Sequence, residues 1–250
     1  MKNKHLKDLN KIEFVLTYAC TGRCKHCSEG DHKPHAERIN PDAAIDAVRK
    51  ICAEYDIKTL LVFGGEPLIY KDAVYAIMSV AKELNIEKRQ IITNGYFSSN
   101  LDEIRAVAKR LGELSVNDLL ISADAFHQEY IPLDTVLAFA KEAKSCEIPT
   151  RLSPAWLVSP TDDNPYNRKT REILDRFSAL QIPIGEGNVI FPEGNAKKYL
   201  AEYFCASAPE NPYVEDPCNV KCISFEPNGN VLDGNIYRCD VMEIINGYKP

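Results

Sequence analysis

The chain has 250 residues, of which 45% are hydrophobic and 26% charged. This length can bury a large core without disulfides, and the composition excludes long disorder, collagen and coiled coil. The net charge is −6, and no basic stripe is present, so nucleic acid is not an expected partner. No membrane-spanning run and no signal peptide are evident, so we expect a cytoplasmic protein with no membrane partner.

Six apolar, β-rich runs alternate with segments of helical periodicity. The predicted strands are, in chain order, residues 12–16, 59–63, 90–93, 119–122, 150–157 and 182–191. Between them, apolar residues recur three and four positions apart, as a buried helical face requires. Asn40, Asn100 and Asp134 are predicted to cap the helices that follow them.

The repeating strand–helix units predict an α/β fold with a parallel sheet and right-handed crossovers. Six units form either an incomplete barrel or an open, doubly wound sheet. From about Ala196 the pattern fails, because prolines interrupt it and four cysteines follow. We therefore predict two domains: a core over residues 1–195, and a small cysteine-rich domain over residues 196–250.

The chain contains nine cysteines. In a reducing compartment, cysteines point to metal binding or redox chemistry rather than to disulfides. Cys20, Cys24 and Cys27 directly follow the first strand, and three thiolates this close together can hold one cubic iron–sulfur centre with one iron left open. A zinc site is the alternative, with His26 or His32 as a fourth ligand.

Two motifs together resemble the radical S-adenosylmethionine (radical SAM) superfamily. The first is Cys20-x3-Cys24-x2-Cys27, with an aromatic residue, His26, before the last cysteine. The second is Phe63-Gly-Gly-Glu-Pro67 at the end of the second strand, which is similar to the glycine-rich motif that binds the methionyl group in this family.

The resemblance implies a partial (β/α)6 TIM-like barrel and a [4Fe–4S] cluster. In this family the open iron binds S-adenosylmethionine, and one electron cleaves it to methionine and a 5′-deoxyadenosyl radical, which abstracts hydrogen from a substrate. The cofactor carries this chemistry while the protein orients it. The expected partners are S-adenosylmethionine, an unknown peptide or small-molecule substrate, and an electron donor such as flavodoxin or ferredoxin.

Gly64, Gly65 and Glu66 have a physical reason to bind this cofactor. Glycines allow backbone carbonyls to approach a ligand closely, and Glu66 offers a carboxylate to an ammonium group. A simple strand-to-helix turn is the alternative.

Polar residues also follow the later strands, where a barrel builds its site. Asn94, Ser122 and Asp124 resemble the family's third- and fourth-strand elements that contact the methionyl carboxylate and ribose. Arg151 on the fifth strand is a candidate partner for that carboxylate. The alternatives are a turn at Asn94, a helix cap at Asp124 and a solvated position for Arg151. Residues 191–195 are expected to end the sixth strand near the cofactor.

A second cysteine group lies near the carboxyl terminus: Cys205, Cys218, Cys222 and Cys239. It resembles the SPASM/twitch-like domain that holds an auxiliary iron–sulfur cluster in many radical SAM enzymes, and a four-thiolate zinc site is the alternative. The two remaining cysteines, Cys52 and Cys146, are predicted to be packing residues.

The sequence leaves three classes of function open. The first is a radical SAM enzyme, either a peptide-modifying maturase or an oxidoreductase or epimerase of a small metabolite. Only about eleven residues precede the first strand, so we expect no peptide-leader domain there. The second is an iron–sulfur redox sensor, which would not need the glycine motif. The third is a zinc-stabilised binding module.

Overall fold

The computed structural model describes residues 2–32, 36–204 and 209–250. Its strands are β1 (Lys11–Val15), β2 (Thr59–Phe63), β3 (Lys88–Thr93), β4 (Asp118–Ser122), β5 (Thr150–Ser153), β6 (Ala155–Trp156), β7 (Asn188–Val189), β8 (Cys222–Phe225), β9 (Asn230–Val231) and β10 (Gly234–Asn235). Its α-helices are α1 (Pro41–Glu54), α2 (Lys71–Glu83), α3 (Leu101–Glu113), α4 (Leu133–Ser145), α5 (Pro165–Asp175), α6 (Gly194–Tyr199) and α7 (Val241–Gly247).

A six-stranded parallel sheet with the order β5-β4-β3-β2-β1-β8 forms the centre of the fold. Alternate residues of each strand are fully buried and join the same core as the helices, for example Phe14, Val62 and Ile121. The opposite face of the sheet is more polar and carries Glu13, Gln90 and other hydrophilic residues. This alternation is what a pleated strand produces when helices cover one of its faces. The α/β fold and the partial barrel core are therefore confirmed.

The helix caps agree with the sequence in two of three cases. Asn40 and Asn100 each accept hydrogen bonds on their side chains from backbone N–H groups of the first turn that follows, as N-cap residues do. For α4 the prediction is wrong. Its N-cap residue is Pro132, which makes no side-chain cap, and Asp134 lies inside the first turn, where a negative charge complements the helix dipole.

Residues 182–191, the sixth predicted strand, lie parallel beside the fifth but form only a short ladder. β7 pairs with β6, and an isolated parallel bridge joins Ile184 to Leu152 of β5. This stretch contains Pro183, Gly185 and Gly187, residue types that interrupt strands. The sixth strand of the main sheet is β8, which was not predicted; it runs parallel to β1 at the other edge and stacks Phe225 on Phe14 with ring centroids 4.9 Å apart.

The predicted domain division at residue 195 therefore falls between β7 and β8, and a strand from the C-terminal stretch lies in the main sheet. The N-terminal segment also contacts this stretch, because Asn3 Nδ2 donates to the carbonyls of Ile245 and Tyr248 at 2.9 Å. Among the described residues, none of the helices combines the length and apolar character that crossing a membrane requires.

Candidate cluster and cofactor site

The candidate site lies where β1 to β4 end, because the carboxyl ends of parallel strands meet at one edge of a sheet. The loop after β1 carries Cys20, Cys24 and Cys27. Burial raises the pKa of Cys20 to about 12 and that of Cys27 to about 11, and it also raises the pKa of the buried Cys24 well above its ordinary value. Among the described residues no cation lowers the pKa of these three thiols, and a metal cluster supplies the positive charge that favours their thiolate forms. The donor set therefore fits an iron–sulfur cluster.

Gly22 lies between two of these cysteines. A Cβ atom added there would lie 3.3 Å from Cys24 Sγ and 3.8 Å from Cys20 Sγ. Both sulfurs therefore lie close to the same glycine, and a side chain at this position would crowd them. His32 contacts the third cysteine, with its Nε2 3.0 Å from Cys27 Sγ.

Asn94, predicted from the sequence, lies at the site and contacts the cysteine loop. Its Nδ2 donates to Thr21 Oγ1 at 3.1 Å and lies 3.6 Å from Cys20 Sγ. Its side-chain oxygen, Oδ1, accepts a hydrogen bond from the backbone N–H of Tyr96 at 2.8 Å. Hydrogen bonds to cysteine sulfur are one means by which proteins tune an iron–sulfur cluster.

Gly64 and Gly65 bring two backbones together. A Cβ atom at Gly64 would lie 2.6 Å from the carbonyl oxygen of Thr17, and one at Gly65 would lie 2.1 Å from that of Ala19. The Gly65 N–H donates to the Thr17 carbonyl at 2.7 Å. We expected close approach to a ligand; in the structure the close approach is to the loop that carries the cysteines. Glycine is required because any side chain would separate the two loops.

Glu66 has a structural role at the end of β3. Its side chain is completely buried, and its carboxylate accepts hydrogen bonds from the backbone N–H groups of Leu68 at 3.0 Å and Asn94 at 2.7 Å, and from the Thr93 hydroxyl at 2.8 and 2.9 Å. The carboxylate is satisfied by donors of the protein, and its contact with a ligand ammonium group stays a prediction. Glu66 fixes the end of β3, including Asn94.

The Glu66 carboxyl predicts a pH dependence of stability. Burial raises its pKa from 4.5 to about 7, in opposition to its hydrogen bonds, which lower it. The folded state therefore binds more protons than the unfolded state between about pH 4.5 and 7, and stability falls as pH rises through this window. We expect E66Q, which keeps an acceptor oxygen but does not titrate, to lose less stability than the wild type between pH 5 and 8.

Chemical denaturation of the metal-free proteins at both pH values measures this difference. Glu83→Gln, which removes a fully exposed carboxylate paired with Arg49, is the control for a general effect of charge. Parallel pH profiles for E66Q and the wild type would contradict the assignment.

Asp124 is also fully buried, and it holds the turn after β4. Its Oδ1 accepts from the backbone N–H groups of Phe126 and His127, both at 3.0 Å. Its Oδ2 contacts His127 Nδ1 at 2.8 Å and accepts from the Ala155 N–H at 3.0 Å. Burial raises the pKa of Asp124, but the charge and hydrogen bonds of His127 outweigh it and lower the pKa to about 2. Both oxygens have partners in the protein, as the alternative of a turn cap expects, and the ribose contact stays a prediction.

His26 lies between the cysteine loop and this turn. Its ring packs against Phe126 and His127 with centroids 5.0 and 4.9 Å apart. Burial lowers its pKa to about 4, so the ring is neutral at physiological pH. An uncharged aromatic ring beside the cysteines agrees with the role in cofactor binding predicted for this position, which remains a prediction.

Ser122 and Arg151 have different outcomes. Ser122 ends β4 beside Ser153 of β5, half-buried at the candidate site. Arg151 instead extends toward the amino-terminal end of β4, where its Nε and Nη2 donate to the Asp118 carboxylate at 3.0 and 3.1 Å. Asp118 also pairs with Lys88 at 2.7 Å. Arg151 therefore pairs with Asp118 in this structure, and its contact with the cofactor carboxylate stays a prediction.

Asn195 is a site residue that the sequence indicated only as part of a segment. Its backbone N–H donates to the Cys27 carbonyl at 2.9 Å, and its Nδ2 donates to the carbonyls of Cys24 and Gly30 at 3.3 and 3.2 Å. The neighbouring Gly194 has φ +51° and lies so close that a Cβ atom would be 2.3 Å from the Ser28 carbonyl oxygen. An asparagine at the start of a helix was the signal available in the sequence, and that signal does not show which distant residues the side chain binds.

We expect Asn195→Ala to loosen the cysteine loop. The change removes two donors from backbone carbonyls, each worth about 1 kcal/mol. Amide hydrogen exchange of residues 22–30 in the metal-free protein should rise by about tenfold relative to the wild type. Asn167→Ala is the matched control, because Asn167 is equally buried and its Nδ2 binds three carbonyls of residues 157–162. Equal protection of residues 22–30 in wild type and N195A would exclude the role.

The described C-terminal cysteines lie on separate segments. Cys222 lies in β8 beside Lys11 of β1, whereas Cys218 and Cys239 are exposed in the loops before and after. Cys205 lies outside the described residues. Cys52 and Cys146 pack against the hydrophobic core, as predicted.

Sequence comparison identifies relatives of known activity. The chain is 28% identical over 200 residues to the GTP 3′,8-cyclase of Clostridium perfringens, and the aligned region covers 75% of this chain and 60% of the relative. It is 26% identical over 129 residues to the probable GTP 3′,8-cyclase of Methanocaldococcus jannaschii, covering 52% of this chain and 41% of the relative. The chain thus spans about 60% or less of the length of these two curated relatives.

Comparison with solved structures supports the same core fold. Native anSMEcpe with bound AdoMet superimposes with a TM-score of 0.58 at 12% identity, covering 93% of this chain and 76% of that one. BtrN in complex with AdoMet and 2-DOIA gives a TM-score of 0.52 at 17% identity, covering 96% and 83%. The family model of the radical SAM superfamily matches residues 14–150, which include both motifs. The chain is therefore a member of the radical SAM superfamily, whose enzymes use S-adenosylmethionine and a [4Fe–4S] cluster.

Proposed function

We propose that this radical SAM enzyme acts on a small polar metabolite and that Cys20, Cys24 and Cys27 hold its cluster. A [4Fe–4S] cluster held by these residues would supply one-electron reduction of S-adenosylmethionine, which yields methionine and a 5′-deoxyadenosyl radical. The observation that carries the site is the convergence of the cysteine loop with the ends of β2 and β3. Thr17 and Ala19 accept hydrogen bonds from the Gly65 and Glu66 N–H groups, at 2.7 and 2.8 Å.

Each part of the site contributes a separate function to this proposal. Asn94 orients Cys20 through its amide, and Asn195 fixes the backbone on either side of Cys27. A second apolar cluster that includes Cys24, Phe126, Leu157 and Ile190 packs around the loop. Apolar packing of this kind excludes water, which protects a reactive radical from side reactions.

A small metabolite is favoured over a peptide by the relatives, which are named as cyclases of GTP. The chain is 28% and 26% identical to these two relatives and spans about 60% or less of their length, so the likeness supports a small polar metabolite as the substrate class and does not assign GTP itself.

The experiment is anaerobic reconstitution followed by reduction. The protein should bind at least about four irons and convert S-adenosylmethionine to methionine and 5′-deoxyadenosine, with dithionite or a flavodoxin as the electron donor. Small metabolites and peptides should then be compared by deuterium transfer from labelled substrate into 5′-deoxyadenosine. Transfer from GTP would identify the relatives' substrate, transfer from a peptide alone would contradict the metabolite proposal, and absence of any cleavage would contradict the enzyme site.

We propose an auxiliary iron–sulfur cluster at the C-terminal cysteines separately, because it is supported only by their number and spacing. Iron analysis distinguishes the outcomes: about eight irons per chain support a second [4Fe–4S] cluster, about four do not. Bound zinc that is lost in a variant lacking Cys218 and Cys222 would favour the structural alternative.

A further inference from the structure

Three side chains with metal-binding atoms meet beside the cysteine loop: Cys24, His26 and His127. One ligand atom of each lies within 4.8 Å of the ligand atoms of the other two. Within residues 2–32, 36–204 and 209–250, no other three Cys, His, Asp or Glu side chains meet this criterion. This group differs from the group of three cysteines. The two share only Cys24, and the other two ligands here are histidine side chains.

His127 has the support that metal-binding histidines have. Its Nδ1 lies 2.8 Å from the Oδ2 of the fully buried Asp124. A carboxylate on one ring nitrogen fixes the orientation of the ring and leaves the other nitrogen available to a metal. The same carboxylate is anchored by three backbone N–H groups, those of Phe126, His127 and Ala155, so the ring position is set by the fold.

His26 supplies an independent indication. Its Nδ1 is buried and has no hydrogen-bond partner, although its ring is held against Phe126 and His127. Buried polar atoms are nearly always satisfied, and an exception requires a reason. A metal ion bound by this nitrogen would supply the missing partner.

We propose that the cluster-free protein binds one divalent transition ion, with zinc as the natural candidate, through Cys24, His26 and His127. One thiolate and two imidazoles are a typical zinc donor set, and a fourth position remains open for water. The charge of the ion is balanced by the Cys24 thiolate and the neighbouring Asp124 carboxylate. Because the cluster of the proposed function also requires Cys24, the single ion and the cluster exclude one another, and bound zinc blocks cluster assembly.

Cobalt(II) is the probe, since it takes the place of zinc and reports its ligands by absorption. The test protein is the metal-free C20S/C27S variant, which cannot hold the cluster but retains all three proposed ligands. We expect about one Co²⁺ per chain, with a thiolate-to-cobalt absorption band and tetrahedral ligand-field bands. Adding Cys24→Ser or His127→Ala to this variant should abolish the band. Adding His32→Ala should not, because His32 contacts Cys27 instead.

The proposal is overturned if C20S/C27S binds no Co²⁺, or if its band survives both Cys24→Ser and His127→Ala. If His127→Ala alters the far-UV circular dichroism spectrum, His127→Gln replaces it, since a glutamine amide is a poor ligand for zinc and retains more of the volume. The second half of the proposal has its own readout: prior loading of the wild type with one Zn²⁺ should prevent uptake of about four irons. Iron uptake that zinc does not reduce would refute the claim that the single ion and the cluster exclude one another. A wild type that takes up no iron even without zinc would refute the proposed function, and the cobalt result would still stand.

Discussion

Replacing Cys24 with alanine is expected to abolish 5′-deoxyadenosine formation and to remove about four irons per chain. Cys24 is the most buried of the three clustered cysteines, and its sulfur faces Gly22 together with that of Cys20. A cubic cluster that is left with two protein ligands cannot be retained in a loop. Iron analysis and electron paramagnetic resonance after anaerobic reconstitution measure the loss, and detection of 5′-deoxyadenosine measures the activity.

The control for this variant is Cys52→Ala. Cys52 lies on α1, is half-buried and packs against the core away from the cysteine loop. It should retain the full complement of iron and the full activity. The metal-free C24A protein should unfold within about 1 kcal/mol of the wild type, since a thiol-to-methyl change removes little volume. Continued 5′-deoxyadenosine production by C24A would refute the assignment of the cluster site.

Replacing Gly65 with alanine is expected to destabilise the protein by about 3 kcal/mol, because a Cβ atom would lie 2.1 Å from the carbonyl oxygen of Ala19 and 2.7 Å from its carbonyl carbon. Neither atom belongs to a flexible side chain, so the two loops must separate. Separation breaks the hydrogen bonds from Gly65 and Glu66 to Thr17 and Ala19. We expect reduced iron retention as well, because Ala19 directly precedes Cys20.

Gly247→Ala is the matched control. Gly247 ends α7, and a Cβ atom there would have no heavy atom within 4 Å. The same chemical change should therefore alter stability by less than about 1 kcal/mol, in the stabilising direction. Denaturant unfolding of both metal-free variants provides the comparison. Similar stabilities for G65A and G247A would show that the two loops are not in the contact described.

β1 to β5 could be predicted because each is a short apolar run, and the first four precede helices that have their own apolar faces. Residues 59–63 were predicted with both ends correct. β8 was not predicted, because its place is set by pairing with β1, where Ile223 and Phe225 align with Ile12 and Phe14. Such a pairing between distant segments leaves no local signal.

The candidate site shows the same division. Cysteines spaced within one loop necessarily lie close together, so the chemical identity of the site could be predicted from Cys20, Cys24 and Cys27. The roles of buried charged residues could not be predicted, because the hydrogen-bond donors around a carboxylate decide what it binds. Glu66 and Asp124 are both saturated by hydrogen bonds from the protein, and Arg151 is held by Asp118.

The sequence by itself determined the α/β class, the cysteine loop after the first strand and membership of a family that binds its cofactor there. These follow from local spacing, which the chain carries into any fold it adopts. Only the tertiary structure decided that β8 completes the sheet, that Asn195 holds the cysteine loop and that His127 lies beside Cys24. Each depends on segments far apart in the chain, and their contact is set by packing of the whole core rather than by any neighbouring residue.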